Sequence, residues 1–399
     1  MAETQQPEWF AREPILPRPG LTAVVVFCAL IAGVPTVRLA TELVSHQPLQ
    51  EFDIFTQFPT LANLQAYEHA LERGSVAAKV ARPYTQLLMA RLARRGNEKV
   101  VIGRGGWLFY RPSLDHVVGP RFAPAGRDAP PTEGSPLAAI LDFREQLARH
   151  GIDLLLLPVP SKETLYPTRL TGGYRVNAPA DNPDTARLLS VLERQGVSVF
   201  DPAPLLWRAD RERRSPLYLP PDTHWTPAGM DLVARELAAQ LRRSVYLDGA
   251  PKVAYRVVEG EVTNRGDLYD MLDLPKYWAG VTPTRVSLGK VIDGQTGKPF
   301  APDPQSPILL LGDSFTNIYS DPSLKWGESA GLAEHLAYHL QTGVDVIALN
   351  DGGVNGCRQQ LARRPAMLAG KRLVIWQFAT RDFTLKAGEW KKIPVRLPR

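Results

Sequence analysis

The sequence predicts an α/β protein whose parallel sheet is covered by helices on both faces and preceded by one N-terminal transmembrane helix. Three observations carry this prediction. Apolar runs alternate with helical patterns from about residue 137 onwards, several of these runs end in glycine-containing or polar turns, and an uncharged apolar segment lies near the N-terminus. Near-continuous apolar strands between helices are typical of parallel sheets that are buried on both faces.

The composition is that of a globular chain with a sizeable core. Of the 399 residues, 44% are hydrophobic and 22% are charged, and the formal net charge is +6. This balance excludes extensive disorder, and the charge indicates only mild attraction to anionic partners. Because no zinc-finger spacing or RNA-binding aromatic signature accompanies the basic residues, we expect no nucleic-acid partner. The two cysteines, Cys28 and Cys357, exclude a disulfide framework and a cysteine-based metal site.

The apolar segment at residues 21–37 follows a polar, proline-rich leader. Its length is at the short end for a spanning helix, so a signal-peptide core or a buried helix of a soluble domain is the alternative. We assign residues 1–20 to a cytoplasmic leader, 21–40 to a transmembrane signal-anchor and 41–97 to a helical linker. Arginines on both sides of the apolar segment leave its orientation open.

The remaining residues, 98–399, are assigned to one α/β domain with an insertion of short strands and loops at 248–304. The predicted strands are 153–159, 197–201, 308–311, 344–349 and 373–378. The predicted helices are 136–150, 182–195, 226–243, 327–341 and 356–368. Ligands of open parallel sheets bind beyond the carboxyl ends of the strands, so candidate chemistry is sought directly after each strand.

Gly312, Asp313 and Ser314 follow the strand at 308–311 directly. A glycine permits a sharp turn from strand to helix, and a serine at the apex of that turn is exposed at the sheet edge. Backbone N–H groups at such a turn can face a developing oxyanion. The alternative is that Asp313 or Ser314 merely caps the next helix.

Asp222 and His224 lie just ahead of a helix that Thr226 and Pro227 open as N-cap and first residue. In an extended segment, residues i and i+2 project to the same side, so Asp222 can orient the His224 imidazole. A serine needs such an oriented base to act as a nucleophile. The alternative is a polar loop with a surface histidine.

Two further patterns have weaker implications. Gly352, Gly353 and Asn355 follow the strand at 344–349 and either complete an oxyanion hole or form an ordinary turn. His335 and His339 are four residues apart on one helix, a spacing that can chelate zinc. No acidic third ligand is obvious in the sequence, so we predict a partly exposed helix face there, no metal site and no cofactor.

Taken together, these stretches resemble the alginate O-acetyltransferase family, whose SGNH-like domains acetylate bacterial exopolysaccharides. The resemblance covers roughly residues 98–385, and the matching stretches follow in the family's order. They are Gly106–Phe109, Pro158–Pro167, Asp222–Trp225, Gly266–Leu268, Gly312–Phe315, and Trp376–Phe378 with Arg381. The Asp-x-His pair precedes the serine block, whereas ordinary SGNH hydrolases have the serine first. This order resembles a circularly permuted SGNH-like, flavodoxin-like domain.

The resemblance implies a catalytic triad of Ser314, His224 and Asp222, an acetyl-serine intermediate and a polysaccharide acceptor, with Arg381 as a further candidate contact. It also implies a location in the bacterial inner membrane with the catalytic domain in the periplasm, and a membrane-bound O-acyltransferase (MBOAT) as the acetyl supplier. A carbohydrate acetylesterase with the same triad and a non-catalytic scaffold of an exopolysaccharide synthesis complex are the alternatives. Gln377, Ala379 and Thr380 depart from the family pattern, which usually has an acidic residue and a Pro-Glu pair there.

Overall fold

The chain divides into two compact units, Met1–Leu87 and Leu88–Arg399. The computed structural model describes residues 21–46, 55–56, 58–74, 76–123, 131–172, 177–213, 215–275, 282–350, 352–386 and 388–395. The leader predicted at residues 1–20 lies outside the described residues. The linker and domain boundaries drawn from the sequence stay predictions.

In the first unit, helix α1 (Leu21–Val44) forms where the signal-anchor is predicted. Across the described parts of the chain, no helix has both the length and the apolar character that crossing a membrane requires. The predicted transmembrane helix is therefore not supported, although a helix does form. Helices α2 (Leu61–Gly74) and α3 (Val76–Leu92) follow within the segment predicted as a helical linker.

A five-stranded sheet in the order β4-β3-β9-β7-β8 forms the centre of the second unit. Every strand pair in it is parallel. Its strands are β3 (Asp153–Val159), β4 (Ser198–Val199), β7 (Ile308–Gly312), β8 (Asp345–Ala348) and β9 (Leu373–Ala379). The parallel sheet predicted from the apolar runs is thus confirmed, and all five predicted strands contribute to it.

Alternate residues of the central strands point into two different cores, as the two-residue period of a strand requires. The helices on the two faces of the sheet are α5 (Pro136–Ala148), α8 (Pro183–Arg194), α10 (Pro227–Leu241), α13 (Leu332–Leu340) and α14 (Gly353–Arg363). Leu155 and Ile375 belong to the core that contains α10 and α13, whereas Leu156 and Trp376 belong to the core that contains α5, α8 and α14. Both faces of the sheet are therefore covered, as predicted.

Further elements connect and flank this framework. The antiparallel pairs are β1 (Val100–Ile102) with β2 (Leu108–Tyr110), and β5 (Tyr255–Asn264) with β6 (Thr284–Asp293). The short helices are α4 (Arg111–Val118), α6 (Lys162–Leu165), α7 (Pro167–Leu170), α9 (Ala203–Glu212), α11 (Asp267–Met271), α12 (Ser314–Asn317) and α15 (Asp382–Leu385). The β5–β6 ribbon occupies the segment predicted as an insertion.

One boundary error concerns the helix predicted over 327–341, which begins only at Leu332. Gly327 and Ser329 have φ angles of 117° and 57°. A right-handed helix excludes positive φ angles, so the chain before Leu332 follows an irregular path. This path places Trp326 in the core, where its side chain is fully buried.

Candidate active site

Ser314 is the first residue of α12, at the sharp turn that follows β7. Asp313 is the N-cap of that helix, and its carboxylate accepts a 2.8 Å hydrogen bond from the Phe315 N–H. Capping is thus performed by Asp313, which leaves the Ser314 hydroxyl free for other partners. A Cβ atom on Gly312 would lie 2.1 Å from Thr316 Oγ1, so only glycine fits at the end of this strand.

Gln377 on β9 holds the turn in place. Its Oε1 accepts hydrogen bonds from the Asp313 N–H (3.0 Å) and the Thr316 hydroxyl (2.8 Å), and its Nε2 donates to Asp313 Oδ1 (2.8 Å). The Ala379 N–H donates to Asp313 Oδ2 over 3.0 Å. Gln377 can serve both a backbone donor and a carboxylate because an amide offers an acceptor and a donor. An ionised acidic side chain at position 377 would have no N–H group to donate to Asp313 Oδ1.

His224 and Asp222 meet Ser314 from the loop that precedes α10. His224 Nε2 lies 2.8 Å from Ser314 Oγ, and His224 Nδ1 lies 2.7 Å from Asp222 Oδ1. Since a carboxylate only accepts, the Nδ1 proton faces Asp222 and the Nε2 lone pair faces the serine hydroxyl. The His224 side chain is buried, with 5% of the residue exposed, so the surface-histidine alternative is wrong.

The carboxylate of Asp222 receives further donors on its second oxygen. The Asp267 N–H and the Trp326 indole N–H donate to Asp222 Oδ2 over 2.9 and 2.8 Å. Burial alone would raise the pKa of Asp222, but the hydrogen bond with His224, the His224 charge and these donors outweigh it and hold the pKa well below its usual range. Asp222 is therefore ionised over the whole pH range in which the neutral His224 imidazole can act as a base.

A second carboxylate, Asp267, lies behind Thr223. Its Oδ1 accepts the Thr223 N–H over 2.8 Å, its Oδ2 accepts the Thr223 hydroxyl, and Oδ2 lies 3.7 Å from His224 Nδ1. Burial, followed by the nearby charge of Asp222, raises the pKa of Asp267 to about 6. Burial lowers the pKa of His224, but the bond to Asp222 and the charges of both carboxylates raise it by more, so the net shift is upward.

Lys162 supports the loop that carries Asp222 and His224. Its ammonium group donates to three backbone carbonyls of that loop, those of Leu219 (3.0 Å), Pro220 (3.0 Å) and Asp222 (2.6 Å). The side chain is 1% exposed, and burial lowers the pKa of Lys162 to about 8. Three carbonyl acceptors match the three donors of an ammonium group, so Lys162 fixes the backbone that carries Asp222 and His224.

The turn predicted to contribute oxyanion donors lies at the start of α14. Gly352 is its N-cap and Gly353, with a φ angle of 53°, its first residue. The Asn355 amide is bonded elsewhere: Nδ2 donates to the Glu389 carbonyl over 2.8 Å, and Oδ1 accepts from Arg358. The expectation that the Asn355 side chain donates to an oxyanion is therefore wrong, because its amide joins α14 to the C-terminal segment.

Arg381 follows β9 at the same edge of the sheet. Its guanidinium lies 5.6 Å from the centre of the Phe315 ring and 5.5 Å from that of Tyr110. Its Nη1 is buried and has no hydrogen-bond partner among the described residues, and the same holds for Thr380 Oγ1. An unpartnered buried donor is costly unless a ligand completes it, so these two groups are candidates for substrate contact.

The assembled geometry can support acyl transfer through a serine. Ser314 is partly exposed, whereas His224 and Asp222 are buried behind it. A reacting acyl group can therefore reach the hydroxyl while the base stays shielded from water. The sequence placed Ser314, His224 and Asp222 together, and it pointed to Asp267 and Lys162 only as members of matching stretches. Nothing in the sequence identified Trp326, which lies in an irregular segment.

Two sets of side chains in the described ranges have ligand atoms close enough to share a metal ion: Asp222, His224 and Asp267, and a set on helices α10 and α13. In the first set His224 Nδ1 donates to Asp222 and His224 Nε2 faces the Ser314 hydroxyl, which is the arrangement of a general base oriented by a carboxylate. The geometry of that set is therefore accounted for without a metal ion.

A family model described as the SGNH hydrolase-like domain of the acetyltransferase AlgX matches residues 100–380. This range covers more than half of the chain and contains every residue of the candidate triad. The SGNH-like α/β fold expected from the sequence agrees with this match, whereas the circular permutation stays a prediction.

The curated relatives include probable alginate O-acetylases named AlgJ. The protein from Pseudomonas putida KT2440 is 29% identical over 232 residues, which are 57% of this chain and 57% of that protein. The protein from Pseudomonas aeruginosa PAO1 is 25% identical over 302 residues, 73% of this chain and 72% of that protein. The chain thus spans little more than half the length of the first of these relatives.

Two solved structures share the fold. The O-acetyltransferase domain of Pseudomonas putida AlgJ superposes with a TM-score of 0.54 at 23% identity, over 71% of this chain and 91% of that one. Pseudomonas aeruginosa AlgX superposes with a TM-score of 0.55 at 18% identity, over 75% of this chain and 68% of that one. At these identities the likeness concerns the fold alone.

Proposed function

Since the chain belongs to the family of SGNH hydrolase-like acetyltransferase domains of the AlgX type, we propose that it transfers acetyl groups to hydroxyls of a bacterial exopolysaccharide through Ser314. The observation that carries the proposal is the continuous chain of hydrogen bonds from Ser314 Oγ through His224 to Asp222, at 2.8 and 2.7 Å. Its relatives named as alginate O-acetylases support polysaccharide acetylation as the reaction class.

In the first half of the proposed reaction, Ser314 Oγ attacks the carbonyl carbon of the acetyl donor. The hydroxyl proton passes to His224 Nε2, and Asp222 stabilises the resulting imidazolium. The carbonyl oxygen becomes an oxyanion, for which the Ser314 and Gly353 N–H groups, at the first positions of α12 and α14, are candidate donors. N–H groups there have no acceptor within their own helix. The tetrahedral intermediate then expels the leaving group, which takes the proton from His224.

In the second half, a sugar hydroxyl attacks acetyl-Ser314. His224 takes the proton of that hydroxyl and returns it to Ser314 Oγ as the ester bond to the serine breaks. The acetyl group leaves on the sugar, and the serine and the neutral imidazole are restored. Water in place of the sugar hydroxyl would give acetate, which is the acetylesterase alternative.

Arg381 is proposed as a contact for the acceptor. Its guanidinium lies beside the ring of Phe315, the residue after the nucleophile, and its unpartnered Nη1 can donate to a hydroxyl or carboxylate of a sugar. We expect Arg381→Ala to raise the KM for the glycan roughly 10-fold or more, with a smaller effect on kcat, because a charged hydrogen bond is worth about 1.5–3 kcal/mol. Arg381→Lys should restore part of the loss.

The transfer itself is tested with the full chain, an acetyl ester donor and a panel of exopolysaccharide oligosaccharides. Mass spectrometry follows acetyl on the sugar, and Ser314→Ala is the control. Acetylated sugar that disappears with Ser314→Ala supports the proposal. Free acetate alone, equally dependent on Ser314, favours the acetylesterase. A folded protein without any Ser314-dependent turnover favours the scaffold.

The periplasmic, inner-membrane location and the MBOAT acetyl supplier stay predictions from the family resemblance. Protease accessibility in intact spheroplasts tests the location, since a periplasmic domain is digested without lysis. Cross-linking followed by identification of the captured membrane protein tests the supplier. A chain that stays protected until the cells are lysed would contradict the location.

A further inference from the structure

Asp231, His335 and His339 converge where helix α10 packs against helix α13. Asp231 lies on α10, and the two histidines are one turn apart on α13, so both face the same way. Asp231 Oδ1 is 2.7 Å from His335 Nδ1 and 2.7 Å from His339 Nε2. One ligand atom from each of the three side chains lies within 4.8 Å of the others.

The second hydrogen-bond partner of His335 determines which ring nitrogen carries hydrogen. His335 Nε2 lies 2.9 Å from the backbone carbonyl oxygen of Gly289 on β6. A carbonyl oxygen only accepts, so the Nε2 atom is the donor. In the neutral ring, Nδ1 then presents a lone pair to Asp231 Oδ1, which also only accepts. Either a proton or a metal ion therefore has to lie between these two atoms, because two acceptors do not bond each other.

The arrangement matches the surroundings of histidines that bind metals. Such histidines typically donate the other ring N–H to a carboxylate or a backbone carbonyl, which fixes the tautomer and aims the free nitrogen at the ion. The Gly289 carbonyl does this for His335. The His335 and His339 side chains are 7% and 15% exposed, whereas that of Asp231 is 35% exposed. The cluster is therefore walled by protein on the histidine side and open to water beside Asp231.

We propose that Asp231, His335 and His339 form a binding site for a divalent first-row transition-metal ion, with zinc as the best match and water in the fourth position. Two imidazoles and one carboxylate are a common zinc ligand set, with bonds of about 2.0–2.2 Å. Ligand atoms bound tetrahedrally at those distances lie about 3.3 Å apart. The 2.7 Å contacts therefore have to widen by about half an ångström, which small side-chain rotations on two neighbouring helices can provide.

The ion would cross-link α10, which follows the loop that carries Asp222 and His224, to α13, which comes after the Ser314 turn. α10 begins at Pro227, just after His224, and α13 is the next helix of the framework after the Ser314 turn. The sequence alone pointed away from this site because the two histidines lack an acidic neighbour at a metal-binding spacing. The carboxylate comes from a residue 104 positions before His335, and only the packing of the helices reveals it.

The test uses the full chain after treatment with a chelator and dialysis. Zinc binding is followed by calorimetry, and cobalt binding by the visible absorption bands of a four-coordinate site. We expect one equivalent of either ion to bind. We also expect the thermal midpoint to rise by about 5 °C when free zinc is 100-fold above its Kd. Asp231→Asn and His339→Ala should each weaken binding by more than about 100-fold.

Two control variants make the test specific. His150→Ala removes an exposed histidine elsewhere on the surface and should leave binding unchanged. His224→Ala should also leave it unchanged, which separates this site from the cluster of Asp222, His224 and Asp267. Far-UV circular dichroism establishes that each variant is folded, and Asp231→Asn preserves side-chain shape if His339→Ala does not fold. Wild-type binding no tighter than that of Asp231→Asn, or binding that His224→Ala abolishes, would overturn the proposal.

Discussion

Trp326→Phe isolates the contribution of one hydrogen bond to the charged carboxylate of Asp222. The substitution keeps a buried aromatic ring but removes the indole N–H, which donates to Asp222 Oδ2 over 2.8 Å. A hydrogen bond to a charged group contributes about 1.5–3 kcal/mol to stability, against about 0.5–1.5 kcal/mol for a neutral one. We expect Trp326→Phe to lose the larger amount, together with the packing of the missing part of the indole.

Trp390→Phe is the matched control. Trp390 is 1% exposed, and its indole N–H donates to a neutral acceptor, the Asp382 backbone carbonyl, over 3.2 Å. Both variants lose the same ring volume, so the difference between their free energies of unfolding reflects the charge of the acceptor. Urea unfolding at about pH 7 should show Trp326→Phe to be less stable than Trp390→Phe by about 1 kcal/mol.

The pH dependence gives the same experiment a second readout. The folded-state pKa of Asp222 is lowered, so its ionised form stabilises the protein above the unfolded pKa of about 3.9, and this contribution is lost as the pH falls through the folded-state value. Trp326→Phe raises that folded-state pKa. Its deficit should therefore be full at about pH 7 and shrink only as the pH falls through the folded-state pKa of Asp222 in the variant, which lies below the usual range of a carboxyl. A deficit at about pH 7 no larger than that of Trp390→Phe would contradict a charge-assisted hydrogen bond from Trp326.

Three further predictions concern the nucleophile, its base and the turn. Asp222→Asn preserves shape but deprives His224 of its carboxylate, so the rate of acetyl transfer should fall about 10³- to 10⁴-fold; a loss below 10-fold would argue against the triad. The raised pKa of His224 places the acidic limb of the pH–rate profile above the usual 6.5 of imidazole, and Asp267→Asn should move that limb to lower pH because the charge of Asp267 favours the imidazolium. Gly312→Ala puts a methyl group 2.1 Å from a neighbouring hydroxyl oxygen and should destabilise the protein by about 1–3 kcal/mol, whereas Gly356→Ala, whose new Cβ makes an ordinary 3.6 Å contact, should be neutral or stabilising in the same urea assay.

The parallel sheet could be predicted from the sequence because its strands are continuous apolar runs. A strand such as β3 is buried on both faces, and only apolar residues suit that environment. The chemistry could be located because the carboxyl end of β7 and the loop before α10 meet at one edge of that sheet. Ser314 Oγ and His224 Nε2 therefore lie 2.8 Å apart.

Long-range contacts and irregular segments account for what the sequence missed. Trp326 reaches Asp222 from a loop shaped by residues with positive φ angles, and no periodic pattern marks such a loop. Asn355 resembled an oxyanion donor because it follows a strand, but contacts with the C-terminal segment occupy its amide. Asp231 lies far from His335 in sequence, so a spacing rule for metal ligands cannot detect their contact.

The most direct test of the account is the capture of the acetyl group on Ser314. The full chain is mixed rapidly with a chromogenic acetyl ester, quenched in acid, digested and analysed by tandem mass spectrometry, with His224→Ala and Ser314→Ala as controls. We expect one acetyl group on the Ser314 side chain of the wild type within the first turnover, its transfer when an acceptor oligosaccharide is added, and little or none in either variant. Acetylated sugar produced at the wild-type rate by Ser314→Ala would rule out acetyl-Ser314 as the intermediate.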